Sequence, residues 1–180
     1  MKKKIYLTLI GGLGNQLFQF ACGSNLAHKL NTKLIIDTYS GFLMDKTYNR
    51  KPSLPKKLIN NTANFKEVLI LFFLKIIKKI FFRNKVFVNI LNYLIIDETK
   101  TDKYIKDFYS VISKTNKNIY LIDFFQSESY FKDNKNKIVS KIMETQFKNN
   151  NIFKIKNKIT SSSLMVGLRM YEEAPLKQKQ

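Results

Sequence analysis

The order of patterns between Lys4 and Asp37 constrains this chain more than any other feature of it. Lys4 to Ile10 is a run of β-branched, aromatic and aliphatic residues that stops abruptly at glycine. Such a run reads as a buried strand. Gly11-Gly12-Leu13-Gly14-Asn15 reads as the loop that follows. From Gln16 to about Leu30 the spacing is helical, with Leu17, Phe20, Ala21, Ser24 and Ala27 on one stripe. Asn31 suits the end of that helix, and Lys33 to Asp37 reads as a second strand. A strand, a helix and a strand in that order imply a parallel pair joined by a crossover. The predicted fold class is therefore α/β, a Rossmann-like parallel sheet with flanking helices.

The same stretch carries the strongest chemical signal. A strand feeding a glycine-rich turn and a helix N-terminus aims backbone N–H groups and a positive helix end at one place, which suits an anion. Gly12 and Gly14 allow a phosphate or sugar to approach the backbone closely, and Asn15 adds a donor and an acceptor. A dinucleotide fold with Asp37 on the ribose is the obvious rival. Its fingerprint needs a third glycine, and Leu17 stands in that place.

Beyond Asp37 the pattern loosens. Residues 38–64 hold Pro52, Pro55 and many polar residues, and read as an irregular excursion. Phe65 to Phe82 is strongly apolar, with Lys75, Lys78 and Lys79 inside it. Its unbroken part, Val68 to Leu74, is far short of the ~20 residues that span a bilayer. It reads as a core helix, or else as an amphipathic helix lying on a membrane, with core packing the favoured reading. Asp102 to Ser113 reads as a helix and Asn118 to Phe125 as a strand. Asp133 to about Phe147 reads as another helix, and Leu164 to Leu168 as a last strand.

Composition narrows the partners. The formal net charge is +19, from 32 basic against 13 acidic residues. That balance suits nucleic acid or an anionic membrane. Only Arg50, Arg83 and Arg169 are arginine, however, and nucleic-acid readers lean on arginine forks. Lysine here accompanies abundant Asn, Ile and Phe, which share AT-rich codons, so base composition accounts for much of the charge and no nucleic-acid partner is expected. Some attraction to anionic substrates or lipid head groups remains. Cys22 and His28 are each the single residue of their type. They provide no disulfide framework, no CxxC pair and no His-rich metal site. Met1 to Gly23 imitates a signal peptide, but Asn15, Gln16 and Gln19 interrupt the apolar run, and a strand with a glycine loop explains the letters better. The expected location is the cytoplasm, with peripheral contact at the inner face of a membrane as a variant.

Two segments far apart in the chain carry a family resemblance. Gly11-Gly12-Leu13-Gly14-Asn15-Gln16-Leu17-Phe18-Gln19-Phe20-Ala21 closely resembles the N-terminal signature of the α-1,2-fucosyltransferase family, glycosyltransferase family 11. Phe125-Gln126-Ser127-Glu128-Ser129-Tyr130-Phe131 resembles that family's aromatic-Gln-Ser-Glu-x-Tyr-Phe segment. A third family motif, His-x-Arg-Arg-Gly-Asp, is matched only at Arg169 in Gly167-Leu168-Arg169-Met170-Tyr171-Glu172. The resemblance implies a GT-B enzyme that transfers fucose from GDP-fucose to a galactose hydroxyl, inverting the anomeric centre without a metal, in bacterial surface-glycan synthesis. Its ligands would be a sugar nucleotide and a glycan acceptor. It places Gly12, Gly14, Asn15, Gln16 and Arg169 at the donor. Glu128 and Glu172 are the candidate bases, with Asp37 and Glu173 behind them. Family members are longer than this chain, so the expected layout is a GT-B-like N-terminal domain over 1–160 and the truncated start of a nucleotide-binding domain over 161–180. Two other readings stand beside it: a non-catalytic remnant or carbohydrate-binding module of the same fold, and a basic peripheral membrane protein.

Overall fold

The computed structural model describes residues 3–43, 45, 48–97 and 104–145. Five short strands form one sheet: β1 Ile5–Thr8, β2 Leu34–Asp37, β3 Phe87–Ile90, β4 Tyr93–Ile96 and β5 Asn118–Leu121. Their order across the sheet is β2-β1-β5-β4-β3. The helices are α1 Leu13–Lys29, α2 Phe65–Phe81, α3 Tyr104–Lys114 and α4 Lys135–Glu144. The architecture is α/β, as the N-terminal pattern predicts.

The expected all-parallel sheet is corrected at one edge. β1, β2, β4 and β5 run parallel, but β3 pairs antiparallel with β4, Phe87 opposite Ile96 and Ile90 opposite Tyr93. Only Leu91 and Asn92 separate these two strands, and so short a connection can join only antiparallel neighbours. Leu91 turns the corner at φ 50°.

The strands are buried on both sides, which is why they read as continuous apolar runs. Alternate residues face opposite layers. Ile5, Leu7, Ile119 and Leu121 pack with Phe20 and Leu26 of α1, Phe108 and Ile112 of α3, and Ile138 of α4. Tyr6, Tyr120, Ile95 and Ile35 pack on the other side with Leu71 and Leu74 of α2.

α1 begins at Leu13, three residues earlier than expected, because Gly12 takes an extended conformation and its carbonyl already accepts from Gln16 N–H at 3.0 Å. Past its C-cap Leu30 it is closed by Asn31, whose φ of 45° lets its N–H reach His28 O while Thr32 N–H reaches Ala27 O. That pair of bonds is a Schellman cap. The buried face differs from the expected stripe. Phe20 and Ala21 are buried, but Leu17, Ser24 and Ala27 are half-buried, while Gln16, Gln19 and Asn25 are fully buried. Each of these amides is hydrogen-bonded within the fold, which removes the cost of burying it.

α2 starts with a capping box. Asn64 Oδ1 accepts from Glu67 N–H at 2.9 Å, and Glu67 Oε2 accepts from Asn64 N–H at 3.0 Å. The favoured core packing is seen at Leu71 and Leu74, which face the sheet with Lys78, while Phe65, Leu69, Phe73 and Ile80 are exposed. No described helix is long and apolar enough to cross a membrane. The expected strand at Leu164–Leu168 and the domain boundary at residue 160 lie outside the described residues.

Candidate functional site

β1, β2 and β5 are parallel, so their carboxyl ends share one edge of the sheet. In open α/β sheets ligands bind beyond that edge. The α1 N-terminus lies there, and so does the segment that follows β5. The two family-like stretches are therefore neighbours in space. Asn15 Oδ1 accepts a hydrogen bond from Gln126 Nε2 at 2.6 Å. The Phe124 ring also lies over the loop, with its Cε1 2.9 Å from where a Cβ on Gly11 would stand.

The three glycines do different work. Gly11 has φ 74°, in the left-handed region, and a Cβ there would also meet Asn15 Nδ2 at 2.5 Å. Gly11 is thus demanded by the fold. A Cβ on Gly12 or Gly14 would meet nothing within 4 Å. The fold leaves open space above both, at the start of a helix with no side-chain cap and no acidic residue in its first turn. The N–H groups there remain available to an anion.

Two glutamines hold this loop from beneath. Gln19 forms a paired contact with the Ile10 peptide, accepting from its N–H at 3.1 Å and donating to its C=O at 3.3 Å. Gln16 donates to Gly11 O at 2.9 Å and Lys51 O at 3.3 Å, and accepts from Ser53 N–H at 2.8 Å and Leu54 N–H at 3.0 Å. Gln16 was expected at the ligand. Its amide is instead committed to joining the loop to residues 51–54, so its effect on a ligand is through the loop's shape.

A second brace ties α1 to the other segment. Asn25 donates to Tyr130 O and Tyr109 Oη, each at 2.8 Å, and accepts from Asn134 Nδ2 at 2.6 Å. Burial pushes the Tyr109 hydroxyl up to about 12. Phe125 holds φ 53°, an unusual conformation for a large residue. Its ring is fully buried against Phe108 and Tyr130, and this packing keeps the turn in place. The strained turn carries Gln126 to Asn15. The sequence signal for Asn25 was available, since it is a polar residue on an apolar helix face. The signal for Phe125 was not.

The candidate acids separate. Asp37 is fully buried. Its carboxylate accepts from Thr8 Oγ1 at 3.1 Å, from the backbone N–H of Tyr39 and Ser40 at 2.9 Å each, and from Ser40 Oγ. It caps the turn after β2. Glu128 is exposed and pairs with Lys135 at 2.7 Å. Asp123, just past β5, was not expected. Burial raises its proton affinity, and the Phe124 N–H and the nearby Lys78 and Lys75 offset this only in part. Glu172, Glu173 and Arg169 lie outside the described residues. Among the described residues no group of three or more His, Cys, Asp or Glu stands together as a metal would need. Comparison with protein-family models, with curated proteins and with solved structures returns no match for the chain.

Proposed function

We propose that this chain is a fucosyltransferase-type glycosyltransferase, moving fucose from GDP-fucose to a galactose hydroxyl. The observation that carries the reading is the Asn15–Gln126 hydrogen bond. It joins the two segments on which the family resemblance rests, at the edge of the sheet where a nucleotide-sugar would sit. The open space above Gly12 and Gly14 supports the same reading.

The chemistry divides between two tasks. The acceptor oxygen forms a bond to the anomeric carbon as the bond from that carbon to the GDP phosphate oxygen breaks. The departing diphosphate gains negative charge, which the first-turn N–H groups of α1 and the Arg169 guanidinium would stabilise. The acceptor's proton passes to a carboxylate. Asp123, two residues past the carboxyl end of β5, is one candidate, since burial raises its proton affinity. Glu128 and Glu172 are the other candidates. The GT-B layout and a nucleotide-binding unit from residue 161 belong to the same proposal.

The test is to incubate the full chain with labelled GDP-fucose and a β-galactoside, then separate the products. Fucosylated galactoside and free GDP in equal amounts are expected. Acceptor binding without turnover would favour the carbohydrate-binding module instead. Neither binding nor turnover at about millimolar ligand would count against the reading altogether.

A further inference from the structure

Helix α2 buries Leu71 and Leu74 against the sheet, but it departs from an ordinary surface helix, whose outward face is polar. Two of the lysines inside its apolar run face the sheet. Lys78 is buried and pairs with Asp97, and Lys75 lies within the fields of Asp37 and Asp123. The outward side is apolar instead. Phe65, Leu69, Phe73 and Ile80 are 75%, 41%, 60% and 66% exposed. Spacings of four, four and seven residues place them along one line of the helix. At 3.6 residues per turn, the exposed Lys66 and Lys79 fall on opposite flanks of that line. Arg83 and Lys85, both exposed, follow just past the helix end beside the exposed Phe81.

An apolar ridge with basic flanks is the arrangement of a helix lying in a membrane interface. We propose that this face of α2 docks the chain flat on an anionic lipid bilayer. The phenyl and aliphatic side chains enter the acyl boundary, and Lys66, Lys79, Arg83 and Lys85 meet lipid phosphates. The net charge of +19 acts in the same direction. A second copy of the chain is a poorer occupant, because pairing α2 with itself sets the same basic flanks against each other. The helix is too short and too charged to cross the bilayer, so it lies along it. This inference is independent of the transferase reading.

The experiment is flotation of the full chain with vesicles of phosphatidylglycerol and phosphatidylcholine, against phosphatidylcholine alone. Co-flotation with the anionic vesicles is expected, at least about tenfold weaker on the neutral ones and weakened by about 0.5 M salt. The double substitution Leu69→Glu/Phe73→Glu should lower binding by roughly 30-fold or more. Lys66→Glu/Lys79→Glu should lower it by about tenfold, with both variants melting like the parent. These positions are exposed, and if one variant misfolds the other decides. Absence of flotation, or flotation that neither variant weakens, would overturn the proposal. So would a dimer in sedimentation at about 10 µM that Leu69→Glu/Phe73→Glu disperses, since a second copy would then cover the ridge.

Discussion

Replacing Gly11, Gly12 and Gly14 by alanine, one at a time, separates what the loop does for the fold from what it does for a ligand. At Gly11 an alanine would hold φ 74° at a cost of about 1–2 kcal/mol. Its Cβ would also displace Asn15 Nδ2 from 2.5 Å and break the contact with Gln126, adding about 1 kcal/mol. Gly11→Ala should therefore destabilise by about 2–3 kcal/mol. Gly14→Ala should do the opposite. Gly14 lies in the first turn of α1, exposed, with nothing near its would-be Cβ, so alanine gains about 0.5–1 kcal/mol of helix stability. Gly12→Ala should change stability little, since its backbone is extended and its surroundings are open. Urea unfolding followed by circular dichroism reads all three. Titration with GDP-fucose then reads the other side: Gly12→Ala and Gly14→Ala should bind at least about tenfold more weakly despite unchanged or improved stability, because each methyl fills the space where the diphosphate would lie. A stabilised Gly14→Ala variant that binds the donor as well as the parent would refute the assignment of this loop to the ligand.

Three further outcomes follow from the braces beneath the site. Gln16→Leu leaves Ser53 N–H, Leu54 N–H and Gly11 C=O without their partner, and should destabilise by about 2–4 kcal/mol in urea titration. Burial alone would raise the Glu67 carboxyl, but the Asn64 N–H, the Tyr6 hydroxyl and Lys4 outweigh it and hold its pKa below the usual 4.5. That stability is present above pH 4.5 and lost as pH falls through the depressed folded value, so Glu67→Gln should flatten the acid side of a stability-against-pH curve. Lys78→Met removes the ion pair with Asp97, but the Asp97 side chain is 25% exposed and can rehydrate. The change should therefore stay within about 1 kcal/mol by thermal melting, well short of the loss for a fully buried pair.

The first unit of the fold was legible because three signals coincide between Lys4 and Asp37: a strand run, a glycine stop and a helical period. The β3–β4 hairpin was hidden for the converse reason. Its corner is Leu91-Asn92, with leucine at positive φ where glycine or asparagine would have announced a turn. At the site, the sequence brought forward Gly12, Gly14 and Asn15. It could not say that Gln16 would be spent on the backbone of Gly11 and residues 51–54, and Gln19 on that of Ile10, because a buried amide looks the same in sequence as a ligand-binding one. Nor could it pair Asn15 with Gln126, a contact that depends on β1 and β5 being neighbours although α2, both hairpin strands and α3 lie between them in the chain. In α2 the period showed a helix but not its rotation, which buries Leu71, Leu74 and Lys78 and leaves Phe65, Leu69, Phe73 and Ile80 outward.

The central claim is that the Gly12–Asn15 loop and the Gln126 segment form one donor site. Isothermal titration of GDP-fucose into the full chain, beside Asn15→Ala and Gln126→Ala, tests it most directly. The account predicts a saturable heat for the parent and at least about tenfold weaker binding in each variant, with the double substitution costing less than the sum of the two. No heat at about millimolar donor, or binding indifferent to both substitutions, would contradict it.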